Sequence, residues 1–432
     1  MPRDLRCLLC FLDDDAQADL RLEAQQLQPR HERALAHYIR LLNDALARLG
    51  GVAQCPLHGT NDPQVAWWTD EFLQTVRRIN IDDVCRPLIT SYEEFVGGHI
   101  QRATETLDAM LRQFGYHQRA SNRFTKGIFF RGRTGSLTRY ELFHIPFTKR
   151  QCIKNQRYSL SGQPLLYLGL SIVDVVSELR GDPLNIAGFT FCYYWLREPE
   201  KVRVLDLGNA LQHMIFNNLR GVAAAGANVR DIAATNPSFS PAFPPYTEAF
   251  VTFLIAAMCS FRRTNITKDD TFAPEYVVPQ LLAHWARTNG YDGIAYASTR
   301  VDAANWQMSG FVKPNHYREN VAFFTHFDPR SNDEHDLALL NRFEISDVVQ
   351  LARIRAVTDG ELQALRRQIV ALENANPKGN IIARSGIELD VGFEGLELHD
   401  PPGTVTPYAA TDCGKVQRHL QFQFLTARLS DW

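Results

Sequence analysis

The first 120 residues carry apolar side chains at three- and four-residue spacing, a pattern that predicts amphipathic α-helices. Three stretches of this kind cover residues 16–27, 31–49 and 100–114. Glycine follows the second and the third stretch, as is common just after the last turn of a helix. The sequence therefore predicts a mainly helical N-terminal domain over residues 1–120.

From Gly127 onward the pattern changes to short apolar runs that are rich in aromatic and β-branched residues and are separated by turns, which predicts strands. The predicted strands cover residues 127–133, 164–171, 186–195, 201–207, 293–298 and 320–325. A helical insertion is expected over about 209–263, and a further helix over 275–290. We therefore predict an α+β core over residues 121–330.

The last hundred residues form a predicted C-terminal extension over 331–432. Thr358-Asp-Gly-Glu361 matches the capping box that opens a helix, and this helix should end before Pro377. Near the end of the chain, the run RHLQFQFLTARL predicts a final strand.

Composition narrows the class of protein. Hydrophobic residues make up 45% and charged residues 22% of the 432 residues, as in soluble globular proteins, and the net charge of −2 gives no reason to expect a nucleic-acid partner. The longest apolar run, Ala249–Phe261, is shorter than the ~20 residues of a membrane span, so we expect a buried helix and no membrane partner. The first residues, MPRDLRCLLCFLDDD, lack a secretion signal, so we expect a cytoplasmic protein with reduced cysteines.

Residues suited to chemistry occur in four ordered segments of the middle region. FFRGRTG places Arg131 at the end of an apolar strand. RYSLSGQPLLYLGLSIVDVVSEL contains Arg157, then Tyr167 on a strand, then Glu178 on a helix. VRVLDL follows, and a helix then leads into YDGIAYAS, which ends in Ser298.

In this order the segments resemble the RES domain family, over about residues 127–325. The resemblance implies a fold similar to the ADP-ribosyltransferase core, with split, curved β-sheets, flanking helices and NAD⁺ in the cleft between the sheets. It also implies a toxin or bacterial defence effector of the toxin–antitoxin type, which either degrades NAD⁺ or transfers its ADP-ribose. The chain departs from the family pattern at Gly132, where a larger residue is expected.

Cleavage of the nicotinamide–ribose bond explains why these residue types are needed. The ribosyl centre becomes oxocarbenium-like, and a carboxylate placed beside the developing charge stabilises it, so Glu178 is the candidate. A guanidinium can bind the diphosphate by two hydrogen bonds, which Arg131 and Arg157 can supply. Tyr167 offers a flat surface to nicotinamide, and Ser298 a hydroxyl to the ribose or carboxamide. We expect Glu178, Arg131 and Ser298 to be catalytic, with no metal required.

Three functions remain open at this point. The first is an NAD⁺ glycohydrolase or phosphorylase that depletes NAD⁺, and the second is a mono-ADP-ribosyltransferase that modifies a protein or another macromolecule. The third is an inactive binding or scaffold protein, although the retention of all five site residues argues against it. A toxin of this kind would have an antitoxin or a regulatory protein as a partner.

Four potential metal ligands lie near the N-terminus. Cys7 and Cys10 form a CxxC pair, and Cys55 and His58 form a CxxH pair, so together they make an alternative zinc site. The opposing interpretation is a set of buried thiols, because Leu8 and Leu9 stand between the first pair.

The helical N-terminal domain also invites comparison with HEPN domains, which accompany RES domains in some proteins. A HEPN ribonuclease needs an arginine followed, after four to six residues, by a histidine. The pairs Arg112/His117 and Arg30/His37 have this spacing. Such spacings are common by chance, so a nuclease is a minor alternative.

Overall fold

The computed structural model describes two compact units of the chain. Its described residues are 4–50, 54–55, 59–60, 63–119, 128–182, 185–208, 245–264, 272–300, 306–308, 319–375, 396–400 and 404–430. Unit 1 comprises residues 1–119 and 207–285, and unit 2 comprises residues 120–206 and 286–432.

The secondary structure is mixed. The α-helices of the described residues are α1 (Leu8–Phe11), α2 (Asp14–Leu27), α3 (His31–Arg48), α4 (Pro63–Val76), α5 (Ile81–Val96), α6 (Ile100–Gln113), α7 (Ile172–Glu178), α8 (Pro245–Cys259), α9 (Val277–Thr288), α10 (Leu337–Asn341), α11 (Asp359–Ala375) and α12 (Asp412–Ser430). The strands are β1 (Gln54–Cys55), β2 (Gly59–Thr60), β3 (Ile128–Thr134), β4 (Leu165–Gly169), β5 (Phe189–Leu196), β6 (Val204–Leu207), β7 (Gly293–Ala297), β8 (Trp306–Met308), β9 (Glu319–Phe324), β10 (Phe343–Ile345), β11 (Leu396–Asp400) and β12 (Thr404–Pro407).

Unit 1 is a helical assembly, which confirms the helices predicted for the N-terminal region. Helix α3 packs on α2 and α5, and α5 packs on α6, through apolar stripes. Helix α8, apolar over most of its surface, packs on α4 and α5. The Tyr116 hydroxyl lies 2.6 Å from Thr252 Oγ1 and links α8 to the segment after α6. Arg112 pairs with Asp108, which also accepts a hydrogen bond from Trp285.

The two units divide the chain differently from the predicted domains in two respects. The predicted insertion at 209–263 was assigned to the core, but its described part, α8, belongs to unit 1 because the apolar surface of that helix is buried among α4 and α5. The predicted extension at 331–432 belongs to unit 2, where α12 packs on α7 and on β5. Residues 209–244 of the insertion lie outside the described residues.

Unit 2 is built on a seven-stranded sheet in the order β10-β5-β3-β4-β9-β7-β6, which confirms the predicted strands and the α+β class. β3 and β5 pair over seven register positions, whereas β3 and β4 pair at one position, Phe130 opposite Gly169. The sheet therefore has a three-stranded half and a four-stranded half that meet at β3 and β4. A second, three-stranded sheet has the order β12-β11-β8.

The two faces of the large sheet bury different side chains, because successive residues of a strand point to opposite faces. On the first face, Phe130 packs with the apolar residues of α7 and α12. On the second face, Phe129 packs with Leu166, Cys192 and Phe323. We call these the helix face and the opposite face.

The final strand predicted from RHLQFQFLTARL is wrong, because this run lies in α12. Val416, Leu420 and Phe424 recur every four residues and are fully buried on the helix face of the sheet. The β-like aromatic alternation of QFQF is overridden by this longer helical period. By contrast, the predicted capping box is confirmed: Thr358 N–H donates to Glu361 Oε2 at 2.8 Å, and α11 ends at Ala375.

Gly132, the departure from the RES pattern, has a packing reason in this structure. A Cβ atom at this position would lie 2.5 Å from the Phe191 ring and 3.1 Å from Val175. Phe191 is fully buried opposite Gly132 in the neighbouring strand. The Phe191 ring therefore occupies the space that a larger side chain at position 132 would need.

Within the residues that the structure describes, no helix combines the length and apolar character needed to cross a membrane.

Candidate functional site

Helix α7 positions the carboxylate of Glu178 at its last residue. Ser171 caps the start of the helix by accepting a hydrogen bond from Asp174 N–H, and it donates one to the Asp174 carboxylate at 2.6 Å. The Ile172 N–H donates to Gln417 Oε1, which ties this end to α12. The helix stops because Arg180 takes a left-handed conformation (φ 56°) and Gly181 N–H bonds back to Val176 O. Glu178 is thus held at a fixed helix end.

Three polar side chains converge on the Glu178 carboxylate. The Ser298 hydroxyl donates to Oε1 at 2.7 Å, and Asn320 Nδ2 lies 3.4 Å from the same oxygen. Arg300 Nε lies 3.5 Å from Oε2, while its terminal nitrogen donates to the Glu178 backbone carbonyl at 2.7 Å. The Glu178 side chain is 29% exposed. The carboxylate is therefore oriented by protein groups and still open to a ligand.

Arg157 joins this cluster through the residue after Ser298. Its terminal nitrogen donates to Thr299 Oγ1 at 2.9 Å. Arg157 and Arg300 thus flank the short segment that follows β7. One guanidinium paired with the carboxylate and a second bonded to the adjoining residue Thr299 are an arrangement suited to a ligand that carries both negative and positive charge.

Tyrosines form the apolar part of the site. The rings of Tyr158 and Tyr296 have centroids 4.6 Å apart. Burial raises the pKa of Tyr296 well above its usual value, and the nearby groups Glu178 and Tyr167 raise it further. Tyr296 therefore stays protonated at neutral pH. Tyr167, on β4, is half-buried on the helix face of the sheet.

Arg131 does not join the cluster, since its side chain lies on the opposite face. The guanidinium donates to the backbone carbonyls of Tyr167 and Phe143, the latter at 3.1 Å. Burial lowers the pKa of Arg131 to about 10. The side chain is 8% exposed. The structure thus gives Arg131 a position inside the fold, whereas the sequence predicted a position at the substrate diphosphate.

His144, on the same opposite face, is a buried neutral imidazole. Its Nε2 accepts a hydrogen bond from Asp336 N–H at 2.8 Å, so Nδ1 carries the proton and donates to Ile145 O. Burial, the largest cause, lowers the pKa of His144 from 6.5 to about 4. This histidine therefore couples the stability of unit 2 to pH.

We expect acid to destabilise unit 2 through His144. Because the folded pKa lies below the unfolded one, the contribution is complete above about pH 6.5 and is lost as the pH falls through about 4. For one group the loss between pH 7 and pH 5 is about 2 kcal/mol. His144→Gln keeps an acceptor but does not titrate. Urea unfolding at pH 7 and pH 5 measures the free energy of unfolding of both proteins. We expect its decrease between the two pH values to be about 2 kcal/mol smaller in His144→Gln than in the wild type. An equal decrease in both proteins would contradict this role of His144.

The structure brings Glu178 and Ser298, both named from the sequence, into contact, and it places Arg157 at the neighbouring residue Thr299. Tyr167, also named from the sequence, lies near Tyr296.

The sequence did not point to Arg300 and Asn320, which also lie beside the Glu178 carboxylate. Arg300 lies two residues beyond the YDGIAYAS run, and this closeness to Ser298 is the sequence signal that could have identified it. Asn320 is the first residue of the strand predicted over 320–325, and the sequence alone gives it no role. In the sheet, Asn320 pairs with Tyr296 on one side and Gly169 on the other, and its side chain lies beside the Glu178 carboxylate.

The predicted zinc ligands lie in unit 1. Cys7, Cys10 and Cys55 are buried, and their sulfur atoms all lie within 4.8 Å of one another. His58, the fourth predicted ligand, lies outside the described residues. All eight cysteines are described, and the structure forms no disulfide among them.

Comparison with known proteins gives one relevant similarity. Over 180 residues, 40% of this chain, the sequence is 29% identical to a Bacillus subtilis (strain 168) protein named "Putative toxin YopC". The match covers 37% of that relative, so the chain matches well under half of the relative's length. No protein-family profile matches the chain. No solved structure matches it.

Proposed function

We propose that this chain is a toxin that consumes NAD⁺ by cleaving the bond between nicotinamide and ribose. The observation that carries the proposal is the Glu178 carboxylate, which is oriented by Ser298, Asn320 and Arg300 and remains partly exposed. The resemblance of the ordered segments to RES domains and the name of the Bacillus subtilis relative both support a toxin role.

In the proposed reaction, the bond between the anomeric carbon of the ribose and the nicotinamide nitrogen breaks, and nicotinamide leaves with the bonding electrons. The ribosyl centre becomes oxocarbenium-like, and the Glu178 carboxylate stabilises this positive charge. Water or phosphate then adds at the same carbon. When water adds, one of its protons is released to solvent, and the products are nicotinamide and ADP-ribose.

The neighbouring groups have distinct tasks in this scheme. Ser298 fixes the direction of the carboxylate by donating a hydrogen bond to it, and Arg300 forms an ion pair with it. Among the described residues, Arg157 and Arg300 are the cations that we assign to the diphosphate. Tyr167, which is partly exposed, offers aromatic surface to the nicotinamide or adenine ring. Arg131 bonds to the backbone carbonyl of Tyr167 on β4 from the opposite face, and this proposal gives it no contact with the diphosphate.

The products identify the acceptor and test the proposal. The full-length protein is incubated in a cell extract with NAD⁺ labelled in the adenylate portion, and the products are identified by mass spectrometry. We expect free nicotinamide with the label in ADP-ribose or its 1″-phosphate. Label attached mostly to one macromolecule would make this chain a transferase. Unchanged NAD⁺ would leave the inactive scaffold as the better interpretation.

A further inference from the structure

Three cysteines from two separate segments meet in the interior of unit 1. Cys7 precedes α1 and Cys10 lies within it, while Cys55 lies in β1 after the end of α3. Their exposed fractions are 6%, 0% and 4%. The Cys10 and Cys55 sulfur atoms are 3.6 Å apart, and all three lie within 4.8 Å of one another.

This spacing fits the edges of a metal-centred tetrahedron. A Zn–S bond is about 2.3 Å long, so tetrahedrally arranged sulfur atoms lie about 3.8 Å apart. In the described part of the chain, no other group of three or more potential ligands is this close together. Cys85, on α5, is equally buried but is not part of such a group.

We propose that Cys7, Cys10 and Cys55 bind one Zn²⁺ as thiolates and that this site is structural. Three converging sulfur ligands are typical of closed zinc sites, and zinc needs no redox chemistry to bind. The proposal rests on the three described cysteines.

A metal here would cross-link the start of the chain to the hairpin that follows α3. The chain already makes one connection nearby, since Gly50 N–H donates to Arg6 O at 2.8 Å. Strands β1 and β2 pair at only two positions, Gln54 with Thr60 and Cys55 with Gly59. Such a short hairpin has little stability of its own. A metal bond to Cys55 would hold it in place.

The competing arrangement is a disulfide between Cys10 and Cys55. A disulfide needs its sulfur atoms about 2.0 Å apart, whereas theirs are 3.6 Å apart. It would also leave Cys7 as a third buried sulfur beside the bond. Metal content and the oxidation state of these cysteines separate the two arrangements.

The test is metal analysis of the full-length protein purified without added zinc. We expect close to one equivalent of zinc in the wild type and less than about a tenth of an equivalent in Cys10→Ser. Cys85→Ser is the matched control, a buried cysteine of the same unit, and it should keep its zinc. Less than about a tenth of an equivalent in the wild type, or a Cys10–Cys55 disulfide in peptide mapping, would overturn the proposal.

Because Cys10→Ser can fail to fold, a second measurement uses the wild type alone. Zinc is removed with a chelator and Co²⁺ is added. We expect the intense near-ultraviolet absorption of thiolate-to-cobalt charge transfer together with tetrahedral visible bands. Weak octahedral bands without charge transfer would refute thiolate ligation. Neither measurement depends on NAD⁺ turnover, so this proposal and the proposed function fail separately.

Discussion

Replacing Glu178 by glutamine should lower NAD⁺ turnover by ~10²-fold or more, the scale of losing one group that stabilises charge in a transition state. Glutamine has nearly the same shape and can still accept a hydrogen bond from Ser298. It carries no negative charge, so it cannot stabilise the oxocarbenium-like ribose. The loss should appear in the rate of turnover more than in NAD⁺ binding, because the charge develops only as the bond breaks.

The control for this substitution is Glu198→Gln, at an exposed carboxylate that pairs with Lys201. It removes the same charge from unit 2 and should leave turnover unchanged. Circular dichroism and urea unfolding of both variants show whether the fold is intact. Turnover near the wild-type rate in a folded Glu178→Gln protein would remove this residue from the mechanism.

Local patterns were sufficient to predict most of the elements in unit 2. The strand at Gly293–Ala297 and the capping box at Thr358 depend on residues close together in the chain, so their signals are complete in the sequence. The run around Phe422 alternates like a strand, while the burial that makes it helical comes from α11, α7 and β5. Two of these partners, α7 and β5, lie more than 200 residues away and leave no local signal.

The candidate site likewise combines features that the sequence predicts with features that depend on distant parts of the chain. Glu178 and Ser298 could be named because each belongs to a recognisable run of residues. Their contact, at 2.7 Å across 120 residues, could not be derived from either run. The face to which Arg131 points depends on the register of β3, and a change of one residue in register reverses it. An arginine at the end of an apolar strand therefore predicts a partner but not which partner.

The position of Arg131 makes Arg131→Lys a decisive substitution. The guanidinium bonds to two carbonyls, Tyr167 O and Phe143 O, on the opposite face from Glu178. Lysine keeps the charge but cannot reproduce the planar fork that reaches both acceptors. The ammonium group of this lysine would also be buried, and burial disfavours its charged form. We expect a loss of about 2–4 kcal/mol in the free energy of unfolding, as for buried hydrogen-bonded groups left without partners.

Folded Arg131→Lys protein should bind NAD⁺ nearly as well as the wild type does. Calorimetric titration of NAD⁺ into folded protein, beside urea unfolding, measures both properties. Arg157→Lys is the matched comparison, because Arg157 is on the Glu178 side and contacts Thr299. It should weaken NAD⁺ binding with little effect on unfolding. If Arg131→Lys instead weakened NAD⁺ binding and left stability unchanged, the diphosphate role predicted from the sequence would be correct and the support role wrong.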